Sequence, residues 1–207
     1  MSLETLVKHY NYTDLNGEEI ERLIGKPPVL YSDLENNPSL EKLLGKEKYF
    51  VLLYQTSNKT TGHYVCISAN DEGQVRFVDS YGLHPSQIRT MTPFDDKYPT
   101  FIINLLAPYQ VEYNTFDYQG KKGVSTCGRW ASLFCRLRNV PLSSINRMLT
   151  TNKSEFLNDY DNTATLLTLY SLNDIAPFLL SQTKHASAPN ETRYAGNTQT
   201  YGKGRRS

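Results

Sequence analysis

The chain has 207 residues, and its 22 Lys and Arg nearly balance 21 Asp and Glu, for a formal net charge of +1. At roughly 150 residues per domain, this length predicts one domain, and a hydrophobic fraction of 39% is enough for a core. No apolar run reaches the roughly 18 residues of a membrane span, the first residues do not resemble a secretory signal, and three cysteines fit neither a disulfide framework nor a CxxC zinc pattern. These features predict an intracellular protein with reduced thiols.

The charge is unevenly distributed, because the last residues are basic. From Lys184 onward there are five Lys and Arg against Glu191 alone, and the segment lacks Val, Ile, Leu, Met, Phe and Trp. Such a segment cannot bury enough apolar surface to offset the entropy lost on ordering. We therefore predict a domain over residues 1–183 and a flexible basic tail over 184–207. The tail is either a functionless end or a weak, salt-sensitive contact to DNA.

Helices are predicted in the first 45 residues. Asn16 with Glu19 three residues later is typical of a capping box, and Gly25 before two prolines ends that helix. A second short helix is predicted from Ser39 to Leu44, with Gly45 beyond its end.

The middle of the chain changes to the composition of strands. Segments rich in Val, Ile, Tyr and Phe are separated by Asn, Gly and Asp, which predicts strands over 48–55, 63–69 and 74–79. After a loop, we expect a helix over 101–106, a strand over 110–116, a helix from Ser125 and short helices to about residue 180.

The loop between the second and third strands determines which side chains share a face of the sheet. Gly73 ends a predicted three-residue turn, and this odd length places Val65 opposite Asp79. His63 and Asp79 then lie on one face as diagonal neighbours, while Cys66 lies on the other face. A buried Asp that orients a His is half of a nucleophilic site. The alternative is a satisfied core histidine, and an even-length loop would separate the pair.

Cys127 is the candidate nucleophile. With Ser125 as the expected N-cap, Cys127 lies in the first turn of a helix, where free backbone amides and the helix dipole favour a thiolate. Its backbone N–H is a candidate donor to an oxyanion, and Gly128 is expected to let a substrate backbone approach. The alternative is that Cys127 is a small buried hydrophobe. Cys135 and Cys66 are expected to be core residues, and His84 is the rival base to His63.

Three segments together carry a resemblance to a known family. They are Gly62-His63-Tyr64-Val65-Cys66, Phe77-Val78-Asp79-Ser80-Tyr81-Gly82, and Gln119 followed by Ser125-Thr126-Cys127-Gly128-Arg129-Trp130. Their order and spacing resemble the adenain-like cysteine proteases, which mature the virions of adenoviruses, virophages and polinton-like elements and are related to the SUMO-processing proteases. The helix around residues 20–25 also looks like the virophage and polinton branch.

The resemblance implies an α+β, papain-like fold, with a central mixed, mainly antiparallel sheet flanked by helices and the nucleophile at a helix N-terminus. It implies Cys127 as nucleophile, His63 as general base, Asp79 as its orienter and Gln119 as an oxyanion-hole donor, with no cofactor or metal. Tyr64 replaces the Trp that many relatives have beside the histidine.

The implied function is an endopeptidase that cleaves viral capsid precursors at Gly-containing sites. It would act as a monomer, without a membrane, in the host cytoplasm or virus factory and in the virion. The same triad would serve a SUMO or ubiquitin-like isopeptidase, and a binding module that has lost catalysis is the alternative from another class.

Overall fold

The computed structural model describes residues 2–36, 38–58, 61–88, 100–120, 123–151, 155–156 and 159–172. The predicted basic tail, and the helices predicted between residue 173 and about residue 180, lie outside these residues. In the part of the chain that is described, no helix combines the length and the apolar character needed to cross a bilayer.

Helices account for most of the regular structure outside the centre of the chain. The capping box at Asn16 is confirmed, with Glu19 N–H donating to Asn16 Oδ1 at 2.9 Å, and the helix ends at Gly25, whose φ is +81°. Ser39 and Gly45 cap the second predicted helix. The helices are α1 (Leu3–Tyr10), α2 (Gly17–Ile24), α3 (Leu40–Leu44), α4 (Pro85–Ile88), α5 (Phe101–Leu106), α6 (Cys127–Arg136), α7 (Leu142–Thr150) and α8 (Tyr160–Ser171), with a 3-10 helix at Tyr31–Asn36.

Five strands form one mixed sheet in the order of the sequence. They are β1 (Val29–Leu30), β2 (Tyr49–Asn58), β3 (Thr61–Ala69), β4 (Val75–Asp79) and β5 (Val111–Tyr113). The inner pairs β2–β3 and β3–β4 are antiparallel, whereas the outer pairs β1–β2 and β4–β5 are parallel. The mixed sheet with flanking helices is confirmed. The antiparallel character is restricted to the inner strands, because the edge strands arrive by longer connections.

Each face of the sheet is buried under its own cluster of apolar side chains. Even-numbered residues of β3, such as Tyr64 and Cys66, pack with α2, α6 and α7, whereas odd-numbered ones, such as Val65 and Ile67, pack with the 3-10 helix, α3 and α5. This alternation is what the period of two in a strand requires. Since α6 lies mainly on β3, the start of α6 is held next to the sheet.

Candidate active site

The β3–β4 hairpin brings His63 and Asp79 together as the sequence predicted. Gly73 has a φ of +87°, Asn70 N–H donates to Gln74 O at 3.1 Å, and Val65 is the partner of Asp79. His63 lies two residues before Val65, and its Nε2 hydrogen-bonds Asp79 Oδ2. Both residues are buried, at 7% and 0% exposure. The odd-length turn therefore has the predicted consequence.

Asp79 is fixed from three directions besides His63. Its Oδ1 accepts the backbone N–H of Tyr81 at 2.8 Å and that of Leu83 at 3.2 Å. Its own backbone N–H donates to Asn114 Oδ1 at 2.8 Å, and its carbonyl accepts from Asn114 Nδ2 at 2.7 Å. These hydrogen bonds hold the carboxylate in one orientation towards His63. Asn114 follows β5, and the sequence analysis did not identify it.

Cys127 is the first residue of α6 and is half-buried. The N-cap is Thr126, with no side-chain capping bond, so the predicted Ser125 cap is wrong. Ser125 N–H instead donates to Asn11 O at 2.7 Å. No side chain therefore uses the free backbone amides of the first turn.

Helix α8 anchors the start of α6. The Thr126 hydroxyl donates to Asp161 Oδ1, and both residues are buried. One turn on, the Arg129 guanidinium donates to Thr168 Oγ1 at 3.0 Å and to Tyr10 O at 3.2 Å, and Arg129 is 1% exposed. These contacts fix the position of Cys127. They join residues far apart in sequence, so no local pattern indicates them.

The imidazole of His63 is held between Asp79 and Cys127. Burial by itself lowers the pKa of His63, but hydrogen bonds with Asp79 and with the Cys127 side chain, and the charges of both, outweigh it. The net result raises the pKa of His63 from 6.5 to about 10. The surroundings therefore stabilise an imidazolium, which is the partner that a cysteine thiolate requires.

Gln119 is buried, at 3% exposure, and is held by its own hydrogen bonds. Its Oε1 accepts from Ser80 Oγ at 2.9 Å, and its Nε2 donates to Val124 O at 2.8 Å and to the Tyr81 hydroxyl at 3.0 Å. The Tyr81 ring stacks on the His63 ring with centroids 5.2 Å apart. Tyr81 thus connects the predicted oxyanion donor to the predicted base, a role that the sequence analysis did not assign.

The other two cysteines are core residues, as predicted. Cys66 lies on the sheet face opposite His63, and its Sγ is 3.4 Å from Cys135 Sγ. Burial and the contact with Cys66 raise the pKa of Cys135 well above its ordinary value, so that thiol stays neutral. The sequence did not indicate that these two thiols meet, because this depends on the rotation of α6 over the sheet.

The rival base His84 is exposed in the loop before α4, where its Nδ1 hydrogen-bonds Ser86 Oγ at 2.8 Å and its ring lies against Tyr113. No contact joins it to Cys127 among the described residues. His9 lies in α1 against Tyr10.

The role expected for Gly128 is wrong. Gly128 is buried, and a Cβ at this position would lie 3.1 Å from Ile20 Cδ1 and 3.2 Å from Tyr64 Cδ2. The missing side chain therefore admits protein neighbours instead of substrate. Burial and the charge of Cys127 raise the pKa of Tyr64 to about 12, so Tyr64 is neutral beside Cys127.

Comparisons with known proteins relate the chain to a virophage. It is 25% identical over 173 residues to the uncharacterized protein V9 of Sputnik virophage. The matched region covers 79% of this chain and 98% of the relative. No protein-family model matches the chain. Among solved structures, it is similar to the central domain of the uncharacterized Lpg1148 protein from Legionella pneumophila, at 14% identity and a TM-score of 0.43, over 79% of this chain and 98% of that one. The similarity to a virophage protein agrees with the virophage branch of the resemblance, and it identifies no protease family.

Proposed function

We propose that the chain is a cysteine peptidase in which Cys127 is the nucleophile, His63 the general acid and base, and Asp79 the residue that orients the imidazole. The observation that carries the proposal is the hydrogen bond between the buried Asp79 carboxylate and His63 Nε2. The Cys127 side chain is the second hydrogen-bond partner of the same ring. A nucleophile, a base and an orienting group in this order are what acyl transfer to a thiol needs.

The reaction uses the two nitrogens of His63 differently. Nε2 stays on Asp79, so Nδ1 is the nitrogen that exchanges a proton with Cys127. The thiolate attacks the scissile carbonyl, a C–S bond forms, and the negative charge moves to the carbonyl oxygen. The imidazolium protonates the leaving amine as the C–N bond breaks. A water molecule then gives its proton to His63, attacks the thioester and releases the acid and the thiolate.

The substrates that we propose are precursors of viral structural proteins, cut at Gly-containing sites such as Gly-Gly-x. This part rests on the resemblance to adenain-like proteases and on the virophage relative. The reaction would take place in the host cytoplasm or virus factory and in the virion.

A substrate panel tests the proposal. Fragments of virophage capsid protein, a quenched peptide containing Leu-Ala-Gly-Gly, and ubiquitin and SUMO bearing a C-terminal fluorophore would be incubated with the purified chain, and the products identified by mass spectrometry. We expect cleavage after Gly in the capsid fragments and the peptide. Faster release of the fluorophore from ubiquitin or SUMO than cleavage of the capsid fragments would mean that the substrate is a ubiquitin-like modifier. Absence of thiol-dependent turnover on every substrate of the panel would overturn the enzymatic proposal.

A further inference from the structure

The side-chain amide of Gln119 has no free hydrogen for a substrate. An amide nitrogen carries two hydrogens, and those of Gln119 go to Val124 O at 2.8 Å and to the Tyr81 hydroxyl at 3.0 Å. The amide oxygen accepts from Ser80 Oγ, and the Val124 carbonyl, which can only accept, opposes a flip of the group. To bind an oxyanion directly, Gln119 would have to break one of these bonds within a buried pocket.

Tyr81 has the hydrogen that Gln119 lacks. Its hydroxyl oxygen accepts from Gln119, and in the described ranges of the chain no group accepts the hydroxyl hydrogen in turn. The residue is only partly buried, and its hydrogen bond with Gln119 is part-buried as well.

The position of the phenol is fixed by the groups of the proposed triad. The Tyr81 ring stacks on His63 with an interplanar angle of 25°, and its backbone N–H donates to Asp79 Oδ1 at 2.8 Å. Burial and, next, the negative charge of Cys127 raise the pKa of Tyr81. The phenol therefore stays protonated at neutral pH.

We propose that the Tyr81 hydroxyl, and not the Gln119 amide, donates the side-chain hydrogen bond to the oxyanion, with Gln119 as the positioning residue that holds the phenol. This inference rests on the proposed function and adds a catalytic residue to it. An O–H that donates to an oxyanion forms a short, strong bond. Because Gln119 donates to the same oxygen, it also polarises the O–H, as successive hydrogen bonds do. The Cys127 N–H is the second donor.

The test compares Tyr81→Phe with Tyr113→Phe, which removes a phenol from β5 outside the site. The readouts are cleavage of the quenched Leu-Ala-Gly-Gly peptide, inhibition by the matching peptide aldehyde, and alkylation of Cys127 by iodoacetamide. Peptide cleavage and aldehyde addition both place charge on a carbonyl oxygen, whereas alkylation does not. Loss of one oxyanion donor costs roughly 10²–10³ in kcat.

We expect Tyr81→Phe to lower kcat by about that factor and to weaken inhibition by the aldehyde. The rate of Cys127 alkylation should stay within a few-fold of that of the unsubstituted protein. Adding Gln119→Ala to Tyr81→Phe should cause little further loss, because Gln119 acts through the phenol and coupled residues are not additive.

Three results would overturn the inference while leaving the proposed function intact. The first is an unchanged kcat in Tyr81→Phe, and the second is a loss of alkylation as large as the loss of peptide cleavage, which would mean that the ring only orients His63. The third is a double variant in which the losses from Tyr81→Phe and Gln119→Ala add. Failure of the proposed function itself is seen separately, as absence of Cys127-dependent cleavage by the unsubstituted protein, and it would overturn this inference as well.

Discussion

Replacing Asp79 by Asn changes one hydrogen bond of the buried carboxylate and leaves its size unchanged. The Oδ1 of Asn can still accept from the N–H groups of Tyr81 and Leu83. The new NH₂ group faces His63 Nε2 and needs an acceptor there, which only an unprotonated nitrogen provides. The variant therefore disfavours the imidazolium that Asp79 stabilises.

The size of the effect follows from the pKa of His63, which hydrogen bonding to Asp79 and Cys127 raises from 6.5 to about 10 against the opposing effect of burial. That difference corresponds to roughly 5 kcal/mol of preference for the imidazolium over the neutral ring, at 1.36 kcal/mol per tenfold change. Since Cys127 provides part of it and the ring in the variant can lose its proton, we expect Asp79→Asn to lower the free energy of unfolding by about 2–4 kcal/mol near pH 6.

The pH dependence identifies the cause. The folded pKa of His63 lies above its unfolded value, so its contribution to stability is complete below about pH 6.5 and is lost as the pH rises towards 10. Guanidinium unfolding at pH 6, 8 and 9.5 measures this. Asp71→Asn is the control, because Asp71 pairs with Arg138 at the surface, where the change should stay below about 1 kcal/mol. A deficit in Asp79→Asn that is the same at pH 6 and 9.5 would refute the imidazolium pair.

Two further predictions concern Gly62, which precedes His63 in β3, and the relative reactivity of the three thiols. In Gly62→Ala the new Cβ would lie 1.9 Å from Tyr54 O, so we expect denaturant titration to show a loss of about 2 kcal/mol or more of unfolding free energy. Gly120→Ala is the control and should be neutral, because a Cβ there would meet no atom within 4 Å. Equal stability of the two variants would contradict the packing at Gly62. Iodoacetamide at neutral pH should label Cys127 before Cys66 or Cys135 in a peptide map, since burial keeps the Cys135 thiol neutral, and preferential labelling of Cys135 would count against Cys127 as the nucleophile.

The part of the site that depends on local rules was predictable from the sequence. A three-residue turn ending in Gly73 sets the register of β3 and β4, and the register alone places His63 diagonal to Asp79. The position of Cys127 in a first helical turn follows from the apolar spacing of the residues after it. The strands and helices around these residues also agree with the prediction except at their ends, for β1, which at two residues is too short to leave a pattern, and for α4, a single turn in the segment predicted as a loop.

What the sequence missed depends on contacts between distant elements. Ser125 is a residue type that favours the N-cap position, but its backbone N–H donates to Asn11 O. The helix begins after Thr126, whose hydroxyl donates to Asp161. Gly128 is needed for close packing against Ile20 and Tyr64. In each case the deciding neighbour lies far away in sequence, so residue type and spacing alone give the wrong partner or none.

The identity of the nucleophile is tested most directly by comparing Cys127→Ala with Cys135→Ala as the matched control. Both remove one thiol from α6, and circular dichroism would first establish that each variant is folded. With the quenched Leu-Ala-Gly-Gly peptide and the capsid fragments, we predict that Cys127→Ala is reduced to the uncatalysed rate, whereas Cys135→Ala cleaves like the unsubstituted protein. Cleavage by folded Cys127→Ala at the rate of the unsubstituted protein would contradict the account.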